Sequence, residues 1–218
     1  MSITNRVLLI ILMVAIGSSQ PSYASSVNLG TLSSWYSNTS EINRWKYSSV
    51  LCEENVYSGF TMSDFRSHVT FATSTWSSIM YFNYTSGSSS TCIYFLGGNL
   101  VDLNNMNIGF DSSMEGLTNI IRSSEGYWVA GSGVSLPNGA SYAGGGALQK
   151  ASIYIRYNQP SGAPYTTNRF NRNTTHELGH ALGYHGHPNA SGLIMSLTAN
   201  DKQTITASEK NHLQQVKY

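Results

Sequence analysis

Residues 176–187 read His-Glu-Leu-Gly-His-Ala-Leu-Gly-Tyr-His-Gly-His and hold four of the chain's six histidines. His176 and His180 are four apart, a spacing that stacks two imidazoles on one face of a helix, where both can bind one metal ion. Glu177 follows the first histidine, placed to reach a water on the metal without ligating the metal itself. A zinc site for hydrolysis takes three protein ligands and leaves a fourth position open to water. Zinc lowers the pKa of that water towards ~7. Glu177 can then accept the proton as hydroxide attacks a carbonyl, and pass it to the leaving amine. The ion polarises the carbonyl and steadies the oxyanion.

A helix must present this pair. Leu178, Ala181 and Leu182 supply an apolar side, extended backward by Phe170 and Thr174, that can bury against a sheet. Gly183 stands where a helix commonly stops in a left-handed conformation, which glycine takes without strain, and the chain can there bring a third ligand back. Upstream, Phe65, Val69, Ala72, Trp76 and Ile79 recur at spacings of four, three, four and three, the core stripe of a long helix capped by Thr61 or Ser63. His68 on that helix reads as a packing or surface residue.

Residues 45–52 read as a first strand. Residues 81–84 and 91–96 read as strands joined across the turn-forming Ser86-Gly87-Ser88-Ser89-Ser90. In residues 151–157, Ile153, Ile155 and Tyr157 alternate with Tyr154 and Arg156, a strand with two unlike faces. Before it, Tyr142, Ala143, Gly144, Gly145, Gly146 and Ala147 lack the lysine and spacing of a phosphate loop. They read as a flexible turn or as a bare backbone edge that another chain can approach. Thr206 and Glu209 fit a capping box opening a closing helix. Residues 97–126 carry little signal. Asp102, Asn104, Asn107 and Asp111 there offer oxygens that a calcium ion could use, without an EF-hand pattern. The order of elements implies an α+β domain: one mixed, twisted sheet with a long core helix, an active-site helix and a C-terminal helix.

The histidine stretch, with Ile194-Met195-Ser196 after it, resembles the metzincin clan of secreted zinc proteases, and within it the matrixin-like members. Their helix carries His-Glu-x-x-His-x-x-Gly-x-x-His, and a buried methionine lies in a tight turn beneath the metal. The resemblance is specific over residues 170–197 and looser from Trp45 onward. It implies His176 and His180 as zinc ligands, Glu177 as general base, Gly183 at the helix end and Met195 in the turn. The family's third histidine falls here on Gly186. A one-residue insertion after Gly183 makes His187 the preferred third ligand, with His185 as the alternative. Leu197 stands where relatives place a tyrosine, so oxyanion help from that position is absent. Tyr142 to Ala147 resemble the edge along which these proteases lay an extended peptide substrate, with residues 191–195 walling the pocket beyond the scissile bond.

Composition limits what else the chain can be. Charged residues make up 11% and the net charge is +1, so no basic surface points to nucleic acid. Arg6 precedes an unbroken apolar run over residues 7–16, and Ser22-Tyr23-Ala24 ends in a small residue, the pattern of a signal peptide cleaved after Ala24. The run is too short to span a bilayer. The expected organisation is therefore a signal peptide over residues 1–24, a linker or short pro-segment over 25–44, and a catalytic domain over 45–218, exported and monomeric. Cys52 and Cys92 fit one structural disulfide in an oxidising compartment. Of the glycosylation sequons at Asn38, Asn83, Asn173 and Asn189, the last two flank the histidines, where a glycan would crowd the site; this points to a bacterial exported protein. Two rival readings stand beside the protease: Glu209 as third ligand, and a secreted adhesion or binding domain whose zinc is structural. The second has no use for Glu177.

Overall fold

The computed structural model describes residues 44–45, 49–84, 92–122, 147–184, 187–188, 191–197 and 200–216. The expected signal peptide, nearly all of the linker and residues 142–146 of the glycine run lie outside them. No helix among the described residues is long and apolar enough to cross a membrane.

The expected first strand is two: β1 (Arg44–Trp45) and β2 (Ser49–Val56). The chain continues through α1 (Met62–Trp76), β3 (Tyr81–Tyr84), β4 (Cys92–Gly98), α2 (Leu100–Asn105), β5 (Gly116–Arg122), β6 (Ala147–Arg156), α3 (Thr167–Ala181) and α4 (Ala207–Val216). The domain is α+β, with one mixed sheet. β2 lies between β3 and β4, β6 follows β4, and all of these run parallel. The expected neighbours β3 and β4 thus flank β2 instead of pairing with each other. β1 pairs with the start of β6. β5 runs antiparallel along β6, from Gly116 opposite Ile155 to Arg122 opposite Leu148. Among the described residues no strand pairs with the second edge of β5.

Helix α1 begins where Thr61 accepts a hydrogen bond from the Asp64 backbone. Its stripe of Phe65, Val69, Ala72 and Trp76 is buried, and a turn after the helix carries Ile79 into the same layer. These side chains share one core with Ile93 and Phe95 of β4 and Ala151, Ile153 and Ile155 of β6. Each valine, isoleucine or phenylalanine among them contributes roughly 1.5–3 kcal/mol on burial. α3 packs beside α1 through polar ties as well: Trp76 Nε1 donates to the Thr175 carbonyl at 2.9 Å, and His68 Nδ1 lies 2.7 Å from Asn171 Oδ1. His68 is buried against Phe170, so it is a packing residue.

The backbone places Leu51 opposite Cys92 and Cys52 opposite Ile93, so the two cysteines stand one register step apart on neighbouring strands. Their side chains lie outside the described residues. The carboxylates of the calcium candidate have local partners: Ser58 bonds Asp102, and Ser113 bonds Asp111.

Candidate metal centre

Thr166 caps α3, accepting from the Arg169 backbone at 3.2 Å. Phe170, Thr174, Leu178 and Ala181 then bury one side of the helix in the core, as their spacing requires. The helix ends in a full Schellman turn: Gly183 N–H donates to the His180 carbonyl at 3.0 Å, and Tyr184 N–H to the Gly179 carbonyl at 2.9 Å. Gly183 has φ +121°, a conformation that side chains rarely adopt. This turn sends the chain back over the last helical turn and carries His187 to the pair.

His176, His180 and His187 form a group whose ligand atoms all lie within 4.8 Å of one another. His176 Nε2 stands 3.0 Å from His180 Nε2 and 3.1 Å from His187 Nε2. Three nitrogens on a tetrahedral zinc, each ~2.0–2.1 Å from the ion, would be ~3.3 Å apart. The other ring nitrogens are tied outward. His176 Nδ1–H donates to the Ile194 carbonyl at 2.7 Å, and His180 Nδ1–H to the Tyr184 carbonyl. A carbonyl can only accept, so both tautomers leave the Nε2 lone pair facing the centre. Burial, neighbouring His180 and the Arg172 cation all hold His176 well below the ordinary histidine range. Burial and Arg172 lower His187 as well. Neutral imidazoles are the form that binds metal, so this donor set fits zinc. His185 lies outside the described residues.

Met195 lies fully buried beneath the helix. A Cβ on Gly179, between the two helical histidines, would stand 2.5 Å from Met195 Sδ and 3.1 Å from Trp76. The bare backbone there is what admits the methionine. Glu209 Oε1 accepts from Met195 N–H at 2.9 Å, while its other oxygen accepts from Thr206 N–H at 2.7 Å in the expected capping box. Glu209 therefore braces the turn from below and is not part of the histidine group.

Glu177 is buried beside the centre and belongs to a cleft of about 530 Å³. One wall is the loop and first residues of β5, from Ser113 to Thr118; the other is α3, with Arg169, Arg172 and Asn173 preceding the histidines. Thr118 Oγ1 lies 2.7 Å from Glu177 Oε2 and 2.9 Å from the Glu177 carbonyl. A Cβ on Gly116 would stand 2.6 Å from Glu177 Cγ, so only glycine lets β5 approach this closely. Burial raises the Glu177 pKa to about 7, against the pull of Thr118 and Arg172. The group is thus poised for proton exchange near neutrality.

The structure brings together His176, Glu177, His180, His187 and, beneath them, Met195. Ile194 and Met195 are buried, and exposed Leu197 lines the cleft. Asn173, one of the four sequons, is 2% exposed and bonded through Oδ1 to Arg172 and through Nδ2 to Glu115. It has no room for a glycan in this fold. Sequence reasoning missed Gly116 and Thr118, and also Arg169 and Arg172. The two arginines could have been found, because they sit seven and four residues before His176 on the same helical stripe.

No family model and no curated protein matches the chain. Two solved structures of myroilysin are similar in shape. One shares 15% identity, covers 85% of this chain and 94% of its own, and has a TM-score of 0.38. The other shares 16%, covers 78% and 93%, and has a TM-score of 0.35. A likeness this distant says nothing about activity.

Proposed function

We propose that the chain is a zinc-dependent endopeptidase of the metzincin type, exported from a bacterial cell and acting as a monomer. The observation that carries this reading is the convergence of His176, His180 and His187 beside buried Glu177 in an open cleft. His176, His180 and His187 would hold the zinc, which when bound would supply a Lewis acid and lower the pKa of water towards ~7. Glu177 takes the proton from the attacking water and gives it to the leaving amine. Thr118 and Gly116 fix the carboxyl group for that exchange, and the outward bonds of His176 and His180 hold the ligands in place.

The peptide lies along β5, whose residues line the cleft and whose outer edge has no strand partner among the described residues. The unpaired edge and cleft lining of β5 support residues 115–118 as a substrate edge, while residues 142–146 of the glycine run lie outside the described residues. The export reading is supported by the apolar run and Ala24 cleavage pattern of the first 24 residues.

Replacing Glu177 tests the reading. Glu177→Ala is expected to retain zinc while losing roughly 10²–10⁴-fold in cleavage of an unfolded protein such as casein. Full activity in this variant would overturn the mechanism. The same zinc content with no activity in either protein would favour the adhesion-domain reading.

A further inference from the structure

Arg172, His176 and His180 stand at successive four-residue steps of α3, one stripe that runs along the cleft. Arg172 is 5% exposed, and the charges of Glu115, Glu177 and Glu209 act on it through space without a hydrogen bond to its guanidinium among the described residues. Nη1 donates to Asn173 Oδ1 at 3.2 Å and Nη2 to the Ser196 carbonyl at 2.6 Å, both neutral acceptors. Its Nε is buried with no hydrogen-bond partner. Glu115 offsets part of its charge through space, but its hydrogen bonds are committed elsewhere. It binds Arg169 through two bonds of 2.6 and 2.7 Å, and Asn173 through a third of 2.9 Å. This end of the cleft thus carries two guanidinium groups, of which Arg169 is hydrogen-bonded to a carboxylate and Arg172 to neutral acceptors.

A buried guanidinium with an unpartnered N–H and no carboxylate hydrogen-bonded to it is expensive to keep, and a cleft that keeps one is suited to an anion. The cost is visible in Arg172, whose pKa burial and neighbouring Arg169 push down to about 10. We infer that the Arg172 end of the cleft is a subsite for a carboxylate of the bound peptide, an acidic side chain close to the scissile bond. One helical turn separates Arg172 from His176, ~5.4–6 Å. An extended peptide advances ~3.3 Å per residue, so the acidic residue falls within two positions of the cleaved bond. A guanidinium is the side chain best shaped to receive a carboxylate with two parallel bonds. The inference rests on the peptidase reading for what fills the cleft. The competing role for Arg172 is a brace for the Ser196 carbonyl alone.

Binding separates the two. Zinc-loaded Glu177→Gln protein, which holds peptide without turnover, is titrated by calorimetry with amidated peptides carrying Glu or Gln at each central position. A third set carries Gln and a free C-terminal carboxylate. At one position within two residues of the bond, Glu is expected to bind about ten-fold tighter than Gln. That ratio should shrink between about 0.05 M and 0.5 M salt. Arg172→Met is expected to abolish it. Should that variant misfold, the ratio and its salt dependence in the parent protein still decide. Tightening by the free terminus alone keeps the carboxylate subsite and assigns it to a chain end. Equal binding of Glu and Gln peptides at every position, or no binding of any peptide, overturns the inference. Failure of the parent enzyme to cleave these peptides would sink the peptidase reading separately, leaving the binding ratio intact as a test of the subsite.

Discussion

Glu177 illustrates how one side chain is tuned by what touches it. Burial favours its protonated form and raises the pKa to about 7, whereas the Thr118 hydroxyl and the Arg172 charge favour the carboxylate. In the proposed mechanism Glu177 acts only when ionised, so removing the Thr118 bond is expected to move the acid limb of activity upward in pH. Thr118→Val is therefore expected to lose activity mainly below neutrality, with the acid limb of kcat/KM displaced to higher pH and zinc content unchanged. Thr118→Ser, which keeps the hydroxyl, is expected to restore the parent profile. An unmoved limb in the valine variant would show that Thr118 only packs. Nothing in the sequence marks Thr118 or Gly116, because both lie 59 or more residues before Glu177 and their role exists only once β5 meets α3.

At the scale of elements, ion pairs and caps lock the cleft walls together. Burial opposes the charge of Glu115, but its bonds to Arg169 and Asn173 and the Arg172 charge hold its pKa below the ordinary 4.5. A carboxyl depressed by folding stabilises the fold above its unfolded pKa, and that contribution is lost as pH falls through the folded value. Glu115→Gln is expected to lower the melting temperature at neutral pH and to flatten the parent's acid-side loss below about pH 4.5. Equal slopes in both proteins would contradict the tie between β5 and α3. Glu209 acts on the opposite side. It holds Met195 N–H next to Ile194, whose carbonyl orients His176. Glu209→Ala is expected to weaken zinc affinity roughly 10- to 100-fold, measured by competition with a chelator. Unchanged affinity would show that the cap serves α4 alone.

The elements legible in advance were those whose side chains repeat with the backbone. The stripe of α1, the buried side of α3, the alternation of β6 and the Thr206–Glu209 box each encode a local geometry. β5 was not legible. Its sequence Gly-Leu-Thr-Asn-Ile-Ile-Arg has neither alternation nor a continuous apolar run, because one face meets Glu177 rather than a uniform core. α2 is six residues long, too short for periodicity, and only its Asn99 cap announces it. The third histidine was readable as a choice between two, and the Schellman turn at Gly183 is what brings His187 to the pair.

For the whole molecule, a metal held by the three histidines would join the end of α3, the return after Gly183 and, through Ile194, the turn above α4. A ligand that binds only the folded form at a thousand times its Kd adds ~4 kcal/mol of stability. Zinc removal should therefore lower the melting temperature as well as stop catalysis. The most direct measurement follows cleavage of an unfolded protein such as casein by the purified chain, with its zinc counted, before chelation, after it, and after zinc is returned. One zinc per chain, with cleavage that stops on chelation and returns with zinc, is the expected result. Cleavage that persists in protein shown to be metal-free would contradict a zinc peptidase built on His176, His180 and His187.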